Sequence, residues 1–192
     1  MALMALGPRA HAAGRAEDEQ AAAFVRKVGD QLVAVVNGSA PEAEKRRELQ
    51  RVIDNSVDVD GVARFCLGRY WHNATAEQRQ QYTLLFHDVL VHNITGHLGE
   101  YQGVQFTVGR TRTHEDAAIV STVVERPNNP PAQVDWVLGN NGSGLKIVDV
   151  VAEGTSLRLT QRSDYASYLR RNGENVQALI EAMRQQISEQ NG

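Results

Sequence analysis

The spacing of apolar residues changes twice along this chain, and those two changes constrain the fold more than any other feature. Ala21, Phe24, Val25, Val28, Leu32, Val35 and Val36 recur at three- and four-residue steps, which predicts an amphipathic helix over 18–36. After Gly99 the step becomes two. Val104, Phe106 and Val108 alternate with Gln105 and Thr107, and Val134, Trp136 and Leu138 alternate with Gln133 and Asp135. Between and after them, Ala117–Val124 and Leu145–Ala152 are apolar runs of strand length. The helical step returns with Tyr165, Tyr168 and Leu169, and again with Val176, Leu179, Ile180, Met183 and Ile187 beyond Asn172-Gly173.

Three junctions between the strands carry turn chemistry: Thr113–Asp116, Pro127–Pro131 and Asn140–Gly144. All three are short, and short connections require antiparallel neighbours. The expected architecture is α+β: N-terminal helices, a four-stranded antiparallel meander, then C-terminal helices, packed as layers. The 192 residues suit one domain with a real core.

Helix boundaries are written in the chain. Asn37-Gly38 ends the first helix, and Ser39 with Glu42 reads as a capping box for a second, which carries Leu49, Val52 and Ile53. Asp58 caps a short helix with Val62, Phe65 and Cys66 that stops at Gly68. Thr75 and Gln78 open a long helix over 76–98. Tyr82, Leu85, Phe86, Val89, Leu90 and Ile94 cover one broad face of it, and Leu84, Val91 and Leu98 widen the apolar arc. A helix so apolar is either buried on more than one side or lines a cavity between sheet and helices. Periodicity does not choose between these.

Several function classes are excluded. The net charge of −3 gives no basic face for nucleic acid. The single cysteine, Cys66, excludes an internal disulfide, a zinc cluster and a CxxC redox pair. No dinucleotide, P-loop or GxSxG motif is present, so no cofactor is implied. His87, His92 and His97 are spaced by five, which turns successive rings by ~140° around a helix and prevents convergence on one metal. Asp149 and Glu153 fall on one side of the fourth strand, a spacing open to paired acid–base carboxylates or to plain structural duty. At the start of the chain, Met1–Leu6 is apolar and Ala10-His11-Ala12 has the small-x-small pattern of a leader-cleavage site. Residues 1–12 are then either the remnant of a signal peptide before a domain over 13–192, or an alanine-rich terminus.

Two segments carry a resemblance. LGRYWHNATAEQRQQYTLLF (67–86) and IVDVVAEGTSLRLTQRSDYASYLRRNG (147–173) are similar to the two signature regions of the MlaC, or toluene-tolerance, family of periplasmic lipid-binding proteins. The similarity runs in order from Phe24 to Ile187, with Leu145 standing where the family usually has tryptophan. It implies a non-enzymatic periplasmic shuttle that carries lipid between an inner-membrane lipid transporter and an outer-membrane lipoprotein complex. The ligand would be a phospholipid or, in the HpnM subgroup, a hopanoid. The competing reading is a small cone-shaped enzyme using Asp149, or an adaptor with a filled core. For the shuttle, the expected lining is Phe106, Val108, Val134, Trp136, Leu138, Val148 and Val150 from the sheet, with Phe86, Leu90 and Ile94 from the long helix. That set depends on strand parity, because a one-residue slip turns every side chain to the other face.

Overall fold

The computed structural model describes residues 9–190 apart from 97 and 115, and side chains from Gly14 to Glu189. Five helices come first: α1 (Arg9–Asn37), α2 (Glu42–Ser56), α3 (Val59–Leu67), α4 (Tyr70–Asn73) and α5 (Ala76–Thr95). A 3₁₀ turn (Leu98–Tyr101) leads into β1 (Gln105–His114), β2 (Ala117–Glu125), β3 (Ala132–Asn140), β4 (Leu145–Ala152) and β5 (Thr155–Ser156). α6 (Leu157–Arg171) and α7 (Val176–Gln190) complete the chain. The sheet is an antiparallel meander in the order β1-β2-β3-β4-β5, so the fold is α+β as the periodicity implies.

The differences from expectation have local causes. The sheet has a fifth strand because Glu153 (φ 49°) and Gly154 (φ 78°) form a tight turn with both central residues left-handed, which folds Thr155–Ser156 back onto β4. Two residues are too few to show a period. The capping box expected at Ser39 is not formed: α2 starts after Pro41, so Glu42 is its first residue rather than its third, and no side chain caps it. The expected caps at Asp58 and Thr75 are present. Asp58 accepts from the Gly61 amide, and Thr75 and Gln78 exchange both bonds of a capping box. α5 ends at Thr95, short of the expected 98, and the 3₁₀ turn carries Leu98 into a small cluster with Val36, Leu49 and Val104. Of the expected leader, residues 1–8 lie outside the described residues and 9–12 belong to α1.

Two apolar clusters hold the molecule. In the first, α3, α5, α6 and α7 meet around Tyr82, Leu67, Leu169 and Ile180. Tyr82, Phe86 and Tyr165 stand 6.0–6.4 Å apart, centroid to centroid, in tilted and edge-on contacts. The Tyr82 hydroxyl donates to the Ala63 carbonyl (2.9 Å), which satisfies its buried polar end. In the second cluster, Ala21, Val25 and Val28 of α1 and Val52 of α2 pack on Val120, Leu138 and Ile147 of the sheet. α1, not α5, is therefore the helix that covers the sheet. The apolar arc of α5 is only partly absorbed, since Leu84 remains 62% and Ile94 39% exposed.

Candidate functional site

The strand register places one continuous apolar face toward α1. Phe106 lies opposite Val124, Val108 opposite Thr122, Thr122 opposite Val134, and Val120 opposite Trp136, which in turn lies opposite Val150. Directly paired residues share a face. At the middle of this face Val120, Thr122 and Leu138 are buried, whereas Phe106, Val108, Val134, Trp136 and Val150 are only half-buried. The face is thus larger than the helix laid on it.

Its polar atoms are internally satisfied. The Trp136 indole Nε1 donates to Thr122 Oγ1 (3.0 Å), and the Thr122 hydroxyl donates to the Val134 carbonyl (3.0 Å). With both donors used within the sheet, what remains to meet a ligand is hydrocarbon and ring surface. The opposite face carries a polar cluster: Arg112 reaches across the strands to Ser121 Oγ (3.1 Å) and Asp135 Oδ2 (2.7 Å). Partial burial alone would raise the Asp135 pKa, but the hydrogen bonds from Ser121 and Arg112 outweigh it and hold the carboxyl below its usual value.

α1 approaches the sheet closely at one point. Gly29 is buried against Phe106, and a β-carbon placed on Gly29 would lie 2.1 Å from the ring Cζ. Gly29→Val should therefore displace the ring and destabilise the protein by about 1–3 kcal/mol, the usual range for overpacking. Urea denaturation checks this, and combining it with Phe106→Ala should recover part of the loss because the space is then free.

The ten lining residues expected from sequence do not surround one space. Phe106, Val108, Val134, Trp136, Leu138 and Val150 share the α1-facing side of the sheet. Val148 does not: the register shifts between Val137 and Leu138, whose partners are Asp149 and Ile147, so Val148 is the unpaired residue of a bulge. Its Cγ1 lies 3.0 Å from where a β-carbon on Gly139 would sit, on the side away from Leu138. Phe86 and Leu90 pack in the helical cluster and Ile94 is exposed. Beside these sheet residues the structure also places Phe24, Gly29 and Leu32 of α1 and, within the sheet, Thr122, none of which was in the expected set. A lone glycine in the body of an apolar helical pattern was the available signal of a close approach.

Asp149 and Glu153, the expected carboxylate pair, serve separate structural tasks. Asp149 accepts from the amides of Val150 (2.8 Å) and Arg158 (3.1 Å) and from Ser156 Oγ (2.6 Å), with the Arg158 guanidinium 3.5 Å away. It pins the first turn of α6 to β4. Glu153 accepts from the Gln133 amide across the strands. Cys66 lies beneath the same turn, its Sγ donating to the Arg158 carbonyl (3.5 Å). Burial pushes its thiol up to about 12 against the opposing pull of Arg158, which leaves it inert as a nucleophile. Among the described residues, no three His, Cys, Asp or Glu side chains could hold a metal ion.

His87 ties two helices together. Its Nε2 meets Asp54 Oδ1 of α2 at 2.6 Å, and its Nδ1 meets Asp88 at 3.4 Å. Partial burial alone would lower its pKa; the bonds to Asp54 and Asp88 outweigh that and raise it above the ordinary 6.5. A raised native value means that the link stabilises the fold fully below the ordinary value and fades as pH rises through the native one. The melting-temperature advantage of the wild type over His87→Ala should accordingly be larger at pH 5.5 than at pH 9.

The family model described as MlaC protein matches residues 26–185, which takes in all of the sheet and runs from within α1 to within α7. The chain belongs to the MlaC family. Among curated relatives of this MlaC-family chain is the toluene tolerance protein Ttg2D of Pseudomonas putida, 27% identical over 135 residues. That alignment covers 69% of this chain and 63% of the relative, so the chain matches less than two thirds of the length of that protein. A solved structure with the same fold is the phospholipid-binding protein of Ralstonia solanacearum, determined in complex with a phospholipid. It superposes with a TM-score of 0.76 at 21% identity, over 88% of this chain and 98% of that one.

Proposed function

We propose that this chain is a periplasmic lipid carrier that holds acyl chain against the α1-facing side of its sheet and passes it between membrane complexes. The observation that carries the reading is the half-buried row Phe106, Val108, Trp136 and Val150, whose neighbouring polar atoms are already paired with each other. Such a surface offers a ligand nothing but apolar contact. At ~0.8 kcal/mol per buried methylene, an acyl chain of about sixteen carbons gains on the order of 10 kcal/mol by leaving water. β1, with ten residues, is long enough to run beside such a chain. The head group stays at the mouth in water and needs no buried counter-charge.

Phospholipid is the ligand this reading favours, because the Ralstonia relative of the fold is described with one. The partners would be an inner-membrane lipid transporter and an outer-membrane lipoprotein complex, and the working domain 13–192 with residues 1–12 removed on export. Among the described residues no helix is long and apolar enough to cross a membrane. Asp149 and Glu153 are committed to α6 and to β3, so the reading is a carrier rather than an acid–base enzyme.

The test is to export the protein, purify it without detergent and weigh it by native mass spectrometry. The expected spectrum shows the protein plus the mass of a phospholipid; a hopanoid adduct keeps the carrier and changes the cargo. Bare protein in repeated preparations overturns the proposal.

A further inference from the structure

A second surface lies away from the sheet, where α3, α4 and α5 enclose a groove of about 470 Å³. Trp71 of α4 lines it, with the guanidinium carbons of Arg64 and Arg79 lying 5.8 and 5.5 Å from its ring centroid. Arg79 is held in place by donating to the carbonyls of Trp71 (2.8 Å) and His72 (3.2 Å). Arg64 is exposed, and among the described residues its guanidinium has no carboxylate or other hydrogen-bond acceptor. Leu84 of α5, 62% exposed, lines the same groove. This is where part of the apolar arc that neither core absorbs comes to the surface.

We propose that this groove docks an acidic amphipathic segment of a partner protein, with an apolar side chain of the segment against Leu84 and Trp71 and a carboxylate on the Arg64 fork. Arg and Trp are the residue types that most often anchor such contacts, and a guanidinium with five donors matches a carboxylate in a way a lysine would not. An anionic bilayer fits less well. The surface is concave, with Trp71 and Leu84 in its lining, a shape that receives a narrow segment and not an extended flat membrane. The proposal uses no residue of the sheet face and stands whether or not lipid binds there.

Trp71 and Trp136 are the only tryptophans, so Trp136→Phe leaves a single fluorophore in the groove. In that background, an amphipathic Leu/Glu peptide of about fourteen residues, long enough for four helical turns, should change Trp71 emission saturably. Arg64→Glu and Leu84→Asp should each weaken the response by about tenfold or more, and the matching Leu/Lys peptide should give none. Both side chains are exposed, and unchanged thermal melts establish that the variants are folded. The proposal is overturned by an absent response to the Leu/Glu peptide, by one that survives both substitutions, or by an equal response to the Leu/Lys peptide. Arg64-dependent binding to phosphatidylglycerol vesicles in place of the peptide overturns it in favour of a membrane.

Discussion

Trp136→Glu should emerge from detergent-free purification with its lipid occupancy lowered by a factor of ten or more. Trp136 is central to the apolar face, opposite Val120 on one side and Val150 on the other. A glutamate there places a carboxylate where a hydrocarbon ligand would have to cover it, and desolvating an unpaired charge costs several kcal/mol. It also removes the indole donor from Thr122 Oγ1. Trp136→Phe keeps the ring and loses only the hydrogen bond, so it should retain most of the lipid. Circular dichroism of both variants separates lost binding from lost fold. Equal occupancy in Trp136→Glu and wild type would place the ligand elsewhere.

The second large effect concerns stability. Asp149→Ala should cost about 3–5 kcal/mol, the range seen when one partner of a buried charged network is removed. The Asp149 side chain is only 5% exposed, and its loss leaves the Arg158 amide and Ser156 Oγ without their acceptor and the Arg158 guanidinium without its nearby counter-charge. For a chain of this size, ~2–4 °C in Tm per kcal/mol gives a drop on the order of 10 °C. α6 should loosen first, because the carboxylate is what ties its start to β4. Cys66 provides the local readout: bonded to the Arg158 carbonyl and inert when buried, it should react with a thiol reagent much faster in Asp149→Ala. Asp149→Asn keeps acceptor capacity without the charge and should fall between the two. A wild-type melt in Asp149→Ala would contradict the anchoring role.

The layer order was legible because every element that sets it is long and strongly periodic. β1 to β4 each carry alternation or a β-branched run, and their connections are too short for anything but a meander. Caps were legible where side chain and helix start coincide, as at Asp58 and Thr75. At Ser39 they do not, because proline takes the N-cap position and moves the helix start two residues on. The MlaC resemblance, carried by segments 67–86 and 147–173, agrees with the family match over 26–185.

The set of residues expected to share one face is brought together only in part, and for three physical reasons. Alternation identifies a face but not a bulge, so Val148 was assigned with Val150 although the register shift at Leu138 separates them. A helix apolar around much of its circumference announces burial without naming its neighbour. α5 spends Tyr82, Phe86 and Val89 on the helical cluster, while the plainer α1 covers the sheet. And Thr122 reads in sequence as one polar residue inside an apolar strand. Its role, to satisfy Trp136 and Val134 and so leave the face apolar, needs β2 and β3 in register.

The claim that an acyl chain lies on the α1-facing side of the sheet is tested most directly by paramagnetic NMR. A phospholipid spin-labelled near the middle of its acyl chain is bound to isotopically labelled protein, and the broadened signals are mapped. The account predicts loss of signal at Phe106, Val108, Trp136 and Val150, with Phe86, Leu169 and Ile180 of the helical cluster unaffected. Broadening centred on the helical cluster, with the sheet residues untouched, would contradict it.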